Sequence, residues 1–68
     1  MIVRLNGKAR ELREDTTVAG AVALLGIAPD ARGVAVAVDR EVVPRGAWAT
    51  TTLPEGARVE VLTAIQGG

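Results

Sequence analysis

A chain of 68 residues with neither cysteine nor histidine must hold its fold together by packing alone. A single core is marginal at this length, and small domains commonly add disulfide bridges or a structural metal. Here there is no thiol for a bridge, and the two commonest zinc ligands are missing. The material that remains is aliphatic. Hydrophobic residues make up 49% of the chain and aromatic ones 1%, so Val, Leu, Ile and Ala must fill the core, with Trp48 as the only large ring. The length allows one domain.

The same absences narrow the chemistry. Without His, Cys or Tyr, the usual side-chain nucleophiles and near-neutral acid–base groups are missing. Carboxylates alone can build an active site, but so short a chain has little room for a cleft of roughly several hundred cubic ångströms. The expectation is a protein that performs no catalysis of its own, binds no metal and holds no cofactor. Basic and acidic residues balance at 8 each, without the basic excess that displaces counterions from nucleic-acid phosphates. The longest nearly apolar stretch, Val18 to Pro29, is too short to span a bilayer, and Met1-Ile2-Val3-Arg4 lacks the layout of a signal peptide. The expectation is a soluble cytoplasmic protein with no nucleic-acid or membrane partner.

Along the chain, Ile2 to Leu5 reads as a strand. Asn6-Gly7 is a two-residue hairpin signal, because both positions of a type I′ turn need positive φ. Lys8 to Leu12 is the returning strand, charged enough to belong at a sheet edge. Asp15-Thr16-Thr17 is a helix-start cluster, after which Val18, Ala21, Val22 and Leu25 share one helical face. Gly26 and Pro29 stop that helix. Gly20 lies inside it, at a cost of about 1 kcal/mol relative to Ala, either for close packing on a sheet or as a tolerated weakness. Gly33 to Val38 alternates Val34, Val36 and Val38 with Ala35 and Ala37, a strand with a bulky face and a small face. Asp39-Arg40 turns the chain, Glu41 to Val43 pairs back, and Pro44 ends that pairing. Pro44 to Trp48 reads as a short helical turn or irregular crossing, and Leu53-Pro54-Glu55-Gly56 as a turn. Arg58 to Thr63 is the last strand, with Val59 and Val61 on one face and Arg58, Glu60 and Leu62 on the other. Periodicity does not assign this strand a neighbour. A hairpin, a crossover helix and further strands predict an α+β domain over 1–63, with one helix covering one face of a mixed four- to five-stranded sheet.

The segment 64–68 carries no charge and no periodicity, and reads as a flexible tail. Fully extended it reaches roughly 17 Å at about 3.3–3.6 Å per residue. Without a Cβ, Gly67 and Gly68 can thread a narrow channel and adopt backbone angles closed to other residues. Such an end suits delivery of a terminal carboxylate into a partner enzyme. There ATP would convert it to an acyl-adenylate, and a sulfur nucleophile displacing AMP would leave a thiocarboxylate on Gly68. A disordered terminus rich in small residues is the plainer reading of the same five residues.

The hairpin with Asn6, Thr17-Val18 opening a helix that runs to Leu24-Leu25, and the strand Val34-Ala35-Val36-Ala37-Val38 come in order along the chain. They are followed by Val43-Pro44-Arg45 with Trp48 three residues on, and by Val59-Glu60-Val61-Leu62 leading to Gly67-Gly68. In this order they resemble the sulfur carriers of thiamine biosynthesis, the ThiS family, over essentially the whole length. The resemblance implies a ubiquitin-like β-grasp fold. It implies that an E1-like adenylating enzyme activates Gly68 with ATP and that a sulfur-donor enzyme supplies cysteine-derived sulfur. Thiazole synthase then takes the sulfur from the thiocarboxylate, and the carrier is a co-substrate. Many relatives carry Glu in the first helical turn, where it completes a capping box; here Gly20 stands there, which weakens the expected cap. By the same analogy an apolar patch near the tail docks partners, with Leu62 and Ile65 as its residues. Ile65 has a second reading, as an anchor of the tail on the domain. Trp48 reads as a core or edge filler in preference to a partner contact, and Arg45 as a solvated charge in preference to a pair with an acidic partner surface. Two related readings share the terminal chemistry: a molybdopterin-type sulfur carrier, and a protein modifier joined to lysines through Gly68. Val43-Pro44-Arg45…Trp48 favours the thiamine carrier.

Overall fold

Residues 1–64 are described in the computed structural model. Asn6 and Gly7 take φ of 51° and 83°, the left-handed pair that a two-residue hairpin needs. They join β1 (Ile2–Leu5) antiparallel to β2 (Lys8–Glu11), with Leu5 opposite Lys8. The expected return strand ran to Leu12. It ends one residue earlier, at Glu11 opposite Ile2, and Leu12, buried in the core, still reaches Met1 C=O through its N–H at 2.7 Å.

Helix α1 (Val18–Leu24) starts at Thr17, whose hydroxyl accepts from Gly20 N–H. The N–H groups of Val18 and Ala19, which no helical turn can serve, donate instead to Thr51 and Trp48 C=O at 2.9 and 3.0 Å. The helix start is thus stitched to the chain crossing after Pro44, and this offsets the missing capping-box Glu. Gly20 is explained locally. A Cβ there would lie 3.2 Å from the Thr16 methyl, so the crowding comes from the cap region and not from the sheet.

Gly33 belongs to the bend before β3 (Val34–Val38), one residue outside the expected strand. Asp39 and Arg40 take φ of 49° and 73°, a second two-residue turn, and return the chain as β4 (Glu41–Val43). A single 3-10 turn follows at Arg45–Ala47. The last strand, β5 (Arg58–Thr63), inserts between the two hairpins, so the order across the sheet is β2-β1-β5-β3-β4. It runs parallel to β1 and antiparallel to β3. The domain is an α+β β-grasp with five strands.

The helix covers one sheet face. Val3, Leu5, Val36, Val59 and Val61 meet Val18, Ala21 and Val22 there, while Leu12, Trp48, Leu53 and Ala57 close the sides. No polar or charged side chain is buried among the described residues. Trp48 is the core filler expected of it, with its Nε1–H donating to Val43 C=O at 2.9 Å. Arg45 is not simply solvated. Its guanidinium donates to Pro29 C=O at 2.7 Å and to Ala31 C=O, and stacks 4.3 Å over the Trp48 ring. A planar fork suits two carbonyls and an aromatic face at once, and here it ties down the connection between α1 and β3.

Candidate functional site

Because successive side chains of a strand point to opposite faces, burying Val59 and Val61 under the helix forces Arg58, Glu60 and Leu62 onto the uncovered face. Leu62 is 68% exposed. Its register partner across β3 is Ala35, while Glu60 faces Ala37 and Ala37 in turn faces Val42. Val42 is 75% exposed, and the two alanines between Leu62 and Val42 leave a shallow apolar trough of about 120 Å³. The small face expected of β3 is therefore the floor of this trough. The Leu62 reading holds as to orientation. Val42 was missed, though alternation within Glu41–Val43 turns Val43 toward the core and Val42 away from it.

The other half of the same face is basic. Arg4 on β1 is the register partner of Arg58 on β5. Arg40 stands beside them around a cavity of about 370 Å³ that also touches Asp39, whose Oδ1 accepts from Arg58 N–H at 2.9 Å. A second cavity, of about 590 Å³, runs from Arg4, Asn6 and Gly7 to Arg58, Glu60 and Leu62. It joins the basic half to the apolar half. Asn6 does more here than shape a turn, since its Oδ1 accepts from Val61 N–H at 2.8 Å and bonds the hairpin to β5.

Among the described residues no group of three or more acidic side chains could hold a metal, and no helix is long and apolar enough to cross a membrane. This face offers apolar surface at one end and cationic hydrogen-bond donors at the other. Ala64 N–H donates to Gly33 C=O at 2.6 Å, so the pairing with the β3 side extends to Ala64. Ile65, Gly67 and Gly68, the other site residues expected from the sequence, lie outside the described residues.

The sequence profile of the ThiS family matches residues 3–68. The crystal structure of a thiamine biosynthesis protein (ThiS) from Geobacter metallireducens is similar over 100% of both chains, with a TM-score of 0.79 and 33% sequence identity. A solution NMR structure of a thiamine biosynthesis protein from the same organism matches 100% of this chain and 88% of its own, again with a TM-score of 0.79 and 33% identity. A thiazole synthase of Magnetococcus marinus is 37% identical over 68 residues. The chain spans 20% of the length of that relative.

Proposed function

The chain belongs to the ThiS family, and on that premise we propose that it is the sulfur carrier of thiazole formation in thiamine biosynthesis. The observation that carries the proposal is the full-length likeness, in sequence and in fold, to a thiamine biosynthesis protein. In this reading Gly68, bearing a free carboxylate, is the reacting residue. A carboxylate is a poor electrophile, so an E1-like enzyme first joins it to the α-phosphorus of ATP, with pyrophosphate leaving. The acyl-adenylate then has AMP as a good leaving group. A donor enzyme's persulfide displaces AMP to give an acyl disulfide. A thiol then cleaves the S–S bond and leaves as the disulfide of the donor, and the thiocarboxylate so released passes its sulfur to thiazole synthase. ATP and the sulfur donor are substrates of those enzymes, and the carrier contributes presentation. Gly67 lacks a Cβ that would obstruct a narrow channel. Leu62, Val42 and the two alanines between them supply the apolar docking surface, and Ile65, outside the described residues, is the further docking residue expected from the sequence.

The relative described as a thiazole synthase favours this acceptor over a molybdopterin precursor, because a segment like this chain occurs within that protein. The test is mass spectrometry of the full chain after incubation with the adenylating enzyme of the same genome, ATP and a sulfur donor. Replacement of one oxygen by sulfur, mapped to Gly68, is the expected outcome. Removing Gly68 should abolish the mass change and leave thermal stability unchanged. An unmodified mass with a demonstrably active enzyme rejects the carrier reading, and ladders of lysine conjugates would assign the protein to the modifiers instead.

A further inference from the structure

Strand β5 outruns its parallel neighbour. On the β1 side, Arg4 N–H meets Ala57 C=O at 2.8 Å, Asn6 N–H meets Val59 C=O at 2.9 Å, and Val61 N–H meets Asn6 Oδ1 at 2.8 Å. A continuing parallel ladder would next bring the N–H of residue 8 to Val61 C=O. The chain has already turned away at Asn6-Gly7, and Lys8 opens β2. Since Ala64 N–H bonds to Gly33 on the β3 side, alternation turns Thr63, like Val61, toward the β1 side. There no described backbone group meets the Val61 C=O or the N–H and C=O of exposed Thr63.

An unpaired run of N–H and C=O groups is a template for another strand, and proteins blunt such edges with charge or proline. The outer edges of this sheet follow that rule, with Lys8, Arg10 and Glu11 on β2 and Pro44 closing β4. Val61, Leu62 and Thr63 carry neither device themselves, and the notch beside them opens at the cavity that joins the basic and apolar halves, where the charges are those of Arg4, Arg58 and Glu60. Arg4 and Arg58 stand side by side in register, an arrangement that destabilises a sheet when left uncompensated. Neither guanidinium forms an ion pair with a described residue; Arg4 Nη1 donates to Gly7 C=O at 3.2 Å, and the Asp39 carboxylate in the adjoining cavity accepts from Arg58 N–H. An acidic side chain would relieve their repulsion, whereas Glu60 disfavours an acid farther along the strand.

The geometry points to a strand-addition site. An extended segment of the adenylating enzyme pairs with Val61 C=O and with Thr63 N–H and C=O. An Asp or Glu at the end of that segment nearest Asn6-Gly7 is received by Arg4 and Arg58. Assignment to that enzyme rests on the carrier reading. The added strand would fix the chain just before residues 65–68 and so set the line along which Gly68 is delivered.

Hydrogen exchange followed by NMR, on the full chain alone and with the purified adenylating enzyme, tests the pairing. In the free protein Thr63 N–H should exchange fast while Leu62 and Ala64 N–H are protected; in the complex Thr63 should become protected. Thr63→Pro removes only an N–H that faces away from β3, a position where a strand tolerates proline. It should weaken enzyme binding roughly five- to ten-fold, the worth of one backbone bond, whereas Thr63→Val, which keeps the N–H, should not. Arg4→Gln and Arg58→Gln should each weaken binding and flatten its salt dependence, and they supply the test should the proline variant fail to fold. Thr63 protected in the free protein, or unprotected in a complex that forms, overturns the inference. So does protection that appears with rising carrier concentration alone, since a second copy then fills the notch. If wild-type Gly68 still gains sulfur in any of these cases, the carrier reading stands without the notch. If the wild-type protein is neither bound nor loaded, both fall.

Discussion

Asn6 answers two demands with one side chain. Its φ of 51° suits Asn and Gly far better than other residues, and its Oδ1 serves Val61 N–H across 55 positions of sequence. These demands separate by substitution. Asn6→Gly keeps the turn and loses the bond, Asn6→Asp keeps both in outline, and Asn6→Ala loses both. Urea denaturation should rank them Asp, Gly, Ala in falling stability, with Ala costing about 2 kcal/mol or more, the sum of a strained turn and an unpaired donor. The turn was legible, because Asn-Gly states its own backbone angles. The bond to Val61 was not, because periodicity reports what happens within a few residues and nothing about which strand lies opposite. Arg45 shows the same limit. Its sequence reading was a solvated charge, because its carbonyl partners on Pro29 and Ala31 are set by the tertiary path. Arg45→Lys places a point charge where a fork is needed. It should lose about 1 kcal/mol, nearly as much as Arg45→Ala, with faster amide exchange in the connection before Val34.

At the scale of elements, five strands and one helix fall within a residue or two of where alternation, the 3.6-residue period and the turn signals put them. The register between β5 and its neighbours was illegible for the reason just given. Helix α1 adds a case where local accounting misleads. Gly20 reads as a cost, and replacing it with Ala should gain about 1 kcal/mol of helix propensity. A Cβ at that place lies 3.2 Å from the Thr16 methyl, tighter than a relaxed contact, so Gly20→Ala alone should be close to neutral. Thr16→Ser deletes that methyl and keeps the hydroxyl bond to Arg13 C=O. The double variant should therefore exceed the sum of the single ones by several tenths of a kcal/mol in a double-mutant cycle.

For the whole molecule, the two sheet faces differ: the helix-covered face holds the core, and on the carrier reading the open face is left for contact. Leu62→Asp and Val42→Asp place charge on side chains already 68% and 75% exposed. Thermal melting should move by no more than a few degrees, while on the carrier reading proposed above affinity for the adenylating enzyme should drop at least ten-fold, since apolar contact area is what both residues offer. A fall in melting temperature as large as a core deletion would show that the open face is structural. The sequence disclosed which residues of β5 share this face, but the union of its two halves needed the strand order. That order also governs how the protein is made. The last strand in sequence occupies the middle of the sheet, so a nascent chain lacking residues 58–63 has only two separate hairpins and a short helix with no joint core. Hairpins of that size are marginal by themselves in water. Formation of the domain therefore waits for the segment that leads directly to Gly67 and Gly68, and a product ended before Arg58 has neither the assembled open face nor the glycines.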